Sequence, residues 1–180
     1  MKIEDVRKAR ERAGRMLDAA GIVITPHERE TMEIADFGLG DPGHYGLNVV
    51  IYESNDRYCA KELILFPRRI CPEHRHPPVS GQHSGKQETF RCRWGEVYFY
   101  IEGAPTPRPK AILPPGDELL FTVRCEIVLR PGDQYTLPPD SPHWFQAGDE
   151  GAIVSEFSTI NTDEFDIWND IRIRRIPVIE

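Results

Sequence analysis

From Leu47 onward the chain never sustains a helical period. Short apolar or alternating runs follow one another, closed by turn residues, at residues 47–53, 58–66, 69–76, 88–93, 96–102, 119–121, 126–129, 134–137, 143–147, 152–157 and 171–176. Runs of that length read as strands, and no stretch between them holds the helix of roughly 10–15 residues that a βαβ fold would need. The pattern therefore predicts a mainly β fold, a sandwich or a barrel. The 16 prolines among 180 residues are roughly twice the usual ~5% share. They fit many turns and exclude a helical bundle or a coiled coil.

Only the first 45 residues depart from this pattern. Ile3, Val6, Ala9, Ala13, Met16, Leu17 and Ala20 recur at steps of three and four, which predicts an amphipathic helix over 3–20 with Gly21 as its stop. Thr25-Pro26 reads as a second helix start, running to about Glu33 or Ile34, and the Gly- and Pro-rich stretch 36–46 as a loop. Residues 103–116 carry five prolines and read as a stiff surface loop. We expect one domain over 1–180, with helices and loop (1–45) packed on a β-domain (46–180) that ends in a C-terminal strand.

Charge and cysteines narrow the function. Lys and Arg total 22 against 29 Asp and Glu, a net charge of -7, so nothing draws the chain as a whole to nucleic acid. No run approaches the roughly 18 apolar residues of a membrane span. The opening MKIEDVRKARERAG lacks the apolar core of a secretory signal. Cys59, Cys71, Cys92 and Cys125 form no CxxC pair and read as reduced thiols in strands, as expected of a cytoplasmic protein.

The chemistry gathers around Glu73-His74-Arg75-His76. On a strand His74 and His76 point to one face, about 7 Å apart along the backbone, and can converge on one cation. Glu88 follows on the next strand in a Glu-x6-Gly run ending at Gly95, a glycine suited to a hairpin turn. Farther on, Gly132, Pro138 and His143 are spaced Gly-x5-Pro-x4-His. Three histidines and a glutamate form a mixed N/O set that suits Mn2+, Co2+, Fe2+, Ni2+ or Zn2+. Glu156 is an acid inside the apolar run 152–157, costly to bury unless paired or functional. Lys86 precedes Glu88 by two and would share its face, or would be a surface lysine before a turn. His83 could compete as a ligand, and His44 could fold over the barrel mouth. His27 is expected to be exposed on the short helix.

These motifs resemble the cupin superfamily, whose first motif is His-x-His with a following Glu-x6-Gly and whose second is Gly-x5-Pro-x-Gly-x2-His-x3-Asn. Two departures stand out. Eleven residues separate His76 from Glu88 where cupins carry far fewer, and Asp140 replaces the second-motif glycine, with no Asn at the expected place after His143. The stretches EHRHPPVSGQHSGKQETFRCRWGEVYFYIEG, LRPGDQYTLPPDSPHWFQAG and SEFSTINTDEFD more closely resemble the D-lyxose isomerases of the cupin type. That resemblance implies a double-stranded β-helix barrel with N-terminal helices packed on it. It implies a homodimeric, manganese-dependent isomerase of D-lyxose and D-xylulose, with D-mannose and D-fructose as further substrates. The implied ligands are His74, His76, Glu88 and His143.

An aldose–ketose isomerase must move a proton between C1 and C2 of an open-chain sugar, and the barrier is the enediolate charge. A cation on O1 and O2 stabilises that charge, and a nearby base shuttles the proton. Glu156 is the expected base, and Lys86 the expected donor to a sugar oxygen. By the resemblance a C-terminal acid and arginine line the pocket. Asp166 and Arg175 are assigned, with Asp170, Arg172 and Arg174 as rivals; strand alternation would group Arg175 with Ile171 and Ile173. Trp94, Trp144 and Phe145 could wall the pocket or be plain core. The alternatives are an Fe(II) dioxygenase, a phosphosugar isomerase and a non-enzymatic sugar-binding cupin. For a phosphosugar, Arg68-Arg69 is the one tight basic pair in the early strands.

Overall fold

The computed structural model describes residues 1–79, 84–175 and 179. Helix α1 (Ile3–Ala19) buries Val6, Ala13 and Leu17 along its apolar stripe. It ends as expected: Gly21 takes φ +69° and the Ile22 N–H reaches back to the Leu17 carbonyl at 2.9 Å. Helix α2 (Pro26–Thr31) starts on a capping box, in which the Thr25 hydroxyl accepts from the Glu28 N–H and the Glu28 carboxylate accepts from the Thr25 N–H. It stops short of the expected Glu33 or Ile34. Those residues instead form strand β1 (Glu33–Ala35), paired with 47–49, which buries Ile34 and Ala35. Strand pairing and burial there outweigh continued helix.

The remaining strands are β2 (Leu47–Ser54), β3 (Cys59–Leu65), β4 (Ile70–Arg75), β5 (Glu88–Ile101), β6 (Cys125–Leu129), β7 (Gln134–Leu137), β8 (His143–Ser158) and β9 (Ile167–Trp168). Among the described residues every pairing between these strands is antiparallel. The long strands β5 and β8 serve two rows each. Residues 152–158 of β8 lie between β3 and the first half of β5, giving the row β1-β2-β3-β8-β5-β7. Residues 143–147 of β8 lie between β4 and the second half of β5, giving β9-β4-β8-β5-β6. The two rows are one curled sheet whose inner faces meet.

The sequence pattern splits β5 and β8 into two strands each and makes Gly95 a hairpin turn. The structure corrects both. Gly95 takes φ +72° at a register shift, and a Cβ there would lie 2.1 Å from the Gly151 carbonyl oxygen. A bulge of this kind bends a strand without ending it, which lets β5 pass from one row to the other. Two further expected strands are absent. Residues 119 and 120 fall in a 3-10 turn, Glu118–Leu120, and Phe121 caps its end. Residues 171–175 form no strand, because the Asp170 carboxylate accepts from the Arg172 N–H and guanidinium and closes a turn; Ile176 lies outside the described residues. The last strand is β9, which pairs with His74 and Arg75.

Three apolar layers result. Between the rows, Val49, Leu63, Phe90, Phe99, Phe145 and Val154 belong to one buried cluster. Outside the first row, α1 packs Val6, Ala13 and Leu17 on Val50, Ile64 and Ile153. Outside the second row lies the Pro-rich segment: Trp144 Nε1 donates to the Val123 carbonyl, and Gln146 Nε2 donates to the Ile112 carbonyl, both at 2.9 Å. All four cysteines are free thiols; Cys59, Cys71 and Cys92 are buried and Cys125 is half-buried.

Candidate active site

His74 lies on β4, His76 just past its end, Glu88 opens β5 and His143 opens β8. His74 and His143 are direct cross-strand partners. The three histidines are buried, with ligand atoms all within 4.8 Å of one another. Each Nδ1 is tied: His74 to the Pro72 carbonyl at 2.8 Å, His143 to the Ser141 carbonyl at 3.0 Å, and His76 to the Asp166 carboxylate. Tying Nδ1 fixes ring orientation and leaves Nε2 for a ligand. Glu88 Oε2 stands 2.9 Å from His76 Nε2 and 3.6 Å from His143 Nε2. Among the described residues these three buried atoms have no hydrogen-bond partner. Buried polar atoms are nearly always satisfied, so a cation with N/O preference fits this donor set.

The ligand-bearing segments are clamped together. Asp140, where the cupin motif has glycine, takes φ +58° and pairs with Arg75 at 2.5 Å. Gly85 fits beneath them: a Cβ there would lie 2.7 Å from the His76 carbonyl and 3.1 Å from the Asp140 nitrogen. The long insert between His76 and Glu88 thus returns tightly at Gly85 to the backbone of His76 and Asp140.

Beside the histidines lies a buried ionic network. Lys86 Nζ contacts Glu88 Oε1 at 2.7 Å, Glu156 Oε1 at 2.9 Å and Asp163 Oδ1 at 3.0 Å. Lys61 Nζ contacts Asp163 Oδ2 at 2.7 Å and Glu156 Oε1 at 3.5 Å. Arg175 reaches Asp163 Oδ2 at 3.4 Å and Glu33 at 3.5 Å. All these groups except Glu33, together with Asp166, Trp168 and Phe145, line one cavity of about 40 Å³. Low-dielectric surroundings make each charge count for more than it would in water.

Those surroundings set the protonation states. Burial and the neighbouring histidines hold His74 well below its ordinary pKa, and burial pushes His143 down to about 4. Both are neutral near pH 7. Burial also disfavours charged His76, but Glu88 and Asp166 overcome it and raise the group to about 10. Burial lifts Asp166 to about 6. Lys86 is raised despite its burial by Glu156, Glu88 and Asp163, and Asp163 is lowered despite its own burial by Lys86 and Lys61.

The structure thus brings together His74, His76, Glu88, His143, Lys86, Glu156, Asp166 and Arg175. Lys86 is buried in the segment before β5 and is no surface lysine. Asp170, Arg172 and Arg174 stay outside the cavity: Asp170 pairs with Arg172, which also reaches Asp117, and Arg174 is exposed. Arg175 reaches the cavity through the turn at Asp170, not through strand alternation. His44 is an exposed partner of Asp41, His27 is exposed, and His83 lies outside the described residues. Trp144 stacks on Tyr100 at 3.9 Å on the outer face, and Trp94 packs toward α1. Sequence reasoning missed Lys61, Asp163 and Trp168, the last stacked on His74 at 4.6 Å. Lys61 carried a usable signal, a lone charge on the Leu63–Leu65 face of β3.

Comparison with known proteins gives a consistent picture. A family profile described as D-lyxose isomerase matches residues 108–180. A D-lyxose ketol-isomerase of Thermofilum sp. (strain ex4484_79) is 61% identical over 176 residues, covering 98% of this chain and 97% of the relative. One from Cohnella laeviribosi is 57% identical over 180 residues, 100% of this chain and 98% of that one. A D-lyxose/D-mannose isomerase of Thermosediminibacter oceani is 56% identical, covering 100% of this chain and 99% of the relative. The fold matches the L-ribose isomerase of Cellulomonas parahominis with a TM-score of 0.83 at 15% identity, over 100% of this chain and 98% of that one. The same likeness, TM-score 0.83 at 16% identity over 100% of this chain and 98% of that one, holds for the Acinetobacter sp. DL28 L-ribose isomerase in complex with L-ribose. The fold is a cupin-type β-barrel.

Proposed function

The chain belongs to the D-lyxose isomerase family, and from that premise we propose how this sugar isomerase interconverts D-lyxose and D-xylulose. His74, His76, Glu88 and His143 hold one divalent cation, read as Mn2+. The observation that carries this reading is the convergence of three buried ligand atoms, on His76, Glu88 and His143, that no hydrogen bond satisfies among the described residues. When bound, the cation supplies Lewis-acid stabilisation of the charge that develops on O1 and O2 of the sugar.

The chain's own groups do the rest. Glu156 takes the proton from C2 and returns it to C1, while the O2 hydroxyl proton passes to O1, so atoms and electrons balance. Its side chain is 7% exposed and held by Lys86 at 2.9 Å, which keeps it aimed. Arg175 also presents N–H donors to sugar oxygens, Lys86 spends its three N–H donors holding Glu88, Glu156 and Asp163, and Asp166 keeps His76 oriented. The apolar cavity wall, with Phe145 and Trp168, faces the sugar's C–H surface and excludes water.

D-Mannose and D-fructose enter this reading as further substrates, supported by the name of the Thermosediminibacter oceani relative. We read the whole chain as one working domain and as a homodimer. Support for the dimer lies in the exposed Tyr52 and Phe157, on the outer face of β2 and β8. A cytoplasmic setting is supported by the four free thiols. Of the alternatives, a phosphosugar enzyme is disfavoured because neither Arg68 nor Arg69 lines the cavity.

The direct test replaces one ligand. His76→Ala is expected to bind less than one Mn2+ per chain and to lose at least about 100-fold in kcat on D-lyxose, the scale of a lost catalytic electrostatic contact. Full metal content with normal activity in that variant contradicts the assignment.

A further inference from the structure

Lys61 is a lysine in the wall of the reaction cavity, with a side chain 4% exposed. It lies on β3 directly opposite Glu156 of β8 in the strand register, so both side chains rise from neighbouring backbone positions on one face. Its ammonium meets Asp163 Oδ2 at 2.7 Å, Asn161 Oδ1 at 3.4 Å and Glu156 Oε1 at 3.5 Å.

An ammonium has three N–H donors, and Lys86 directs its three to Glu88, Glu156 and Asp163. With Lys86 alone, Glu156 would turn about a single contact. Asp163 would keep one oxygen held, the other reaching only Arg175 at 3.4 Å. Lys61 supplies the second grip on both carboxylates. Glu156 Oε1 then faces both ammoniums, and among the described residues neither ammonium donates a hydrogen bond to Oε2, the oxygen left for the sugar. The grip extends further. Asp163 starts the 3-10 turn Asp163–Phe165, which leads directly to Asp166 and its bond to His76.

We propose that Lys61 is the positioning residue for proton transfer by Glu156, holding that carboxylate and the 163–166 turn in their working geometry; this rests on the reading of Glu156 as the proton carrier. The charge count agrees. Glu88, Glu156, Asp163 and Asp166 share the cavity with Lys61, Lys86 and Arg175, so loss of Lys61 leaves crowded carboxylates that repel one another.

The test compares Lys61→Met and Lys61→Arg with the wild-type protein, each loaded with Mn2+. It measures kcat and KM on D-lyxose, bound metal, and exchange of the sugar C2 proton into deuterated water. Lys61→Met is expected to lose about 100-fold in kcat and in exchange, the scale of a small misplacement of a catalytic group, with KM and metal content unchanged. Lys61→Arg is expected to recover most of kcat, because a guanidinium can bridge two carboxylates. If the Met variant does not fold, Lys61→Gln is measured in its place, with the same expectation. Wild-type kcat in the uncharged variant overturns the proposal, as does loss of metal, a loss confined to KM, or an Arg variant as impaired as the uncharged one. Failure of the metal-loaded wild-type protein on D-lyxose overturns the isomerase reading itself.

Discussion

Three charged residues inside apolar strands meet different fates, and side-chain alternation decides them. Glu156 and Lys61 point between the two rows of the sheet, into the cavity lined by the buried ionic network. Glu62, one residue beyond Lys61, points outward and accepts from the Ser155 hydroxyl at 3.0 Å and the Tyr52 hydroxyl at 3.2 Å. Burial raises the Glu62 carboxyl above its ordinary pKa, against the lowering effect of those hydroxyls. A raised carboxyl pKa means the folded state resists ionisation. Its stabilising effect is present below the unfolded carboxylate pKa and is lost as pH rises through the folded value. Glu62→Gln is therefore expected to melt above wild type at pH 7, with the gap closing as pH falls below the ordinary carboxylate range. Equal melting temperatures at both ends of that range contradict the assignment. At this scale the sequence was most legible for the histidines, whose spacing on a strand sets a shared face. Asp163 and Trp168 were not legible. They reach the cavity through turns after β8, and no local period records that contact.

At the scale of elements, apolar runs located β2 to β8 but not the short β1 and β9, and where strands end was harder to read. Gly95 looks like a turn because glycine serves turns and bulges alike. What distinguishes them is the Gly151 carbonyl packed against it from β8, a contact across the sheet. Gly95→Ala is expected to destabilise the protein by about 1–3 kcal/mol from the left-handed backbone alone, and by more from the 2.1 Å approach. Urea unfolding measures this; a midpoint equal to wild type refutes the bulge as the joint between rows. The C-terminal region went unread for a related reason. Arg172 and Asp170 could sit on a strand or close a turn, and their mutual pairing at 2.7 Å favours the turn.

At the scale of the molecule, each cover on the curled sheet follows from one amphipathic segment. Helix α1 shields the outside of one row, and the Pro-rich segment shields the outside of the other. That leaves the inner faces to carry the polar site at one edge of an otherwise apolar core. The departures from the cupin motifs are absorbed locally: Asp140 gains Arg75, and Gly85 brings the long insert back against His76. The fold class was legible because it depends on period and turn spacing. The ionic network was only half legible, since its charges come from β3, β5, β8 and two turns that sequence distance separates.

We propose that isomerisation runs at a single cation site built from His74, His76, Glu88 and His143. The most direct measurement strips the purified protein with a chelator, returns Mn2+ in known amounts and follows D-xylulose formation from D-lyxose. No activity is expected in the stripped protein, followed by a linear rise that breaks at one Mn2+ per chain. Full activity after stripping, or a rise that does not saturate at that ratio, contradicts it.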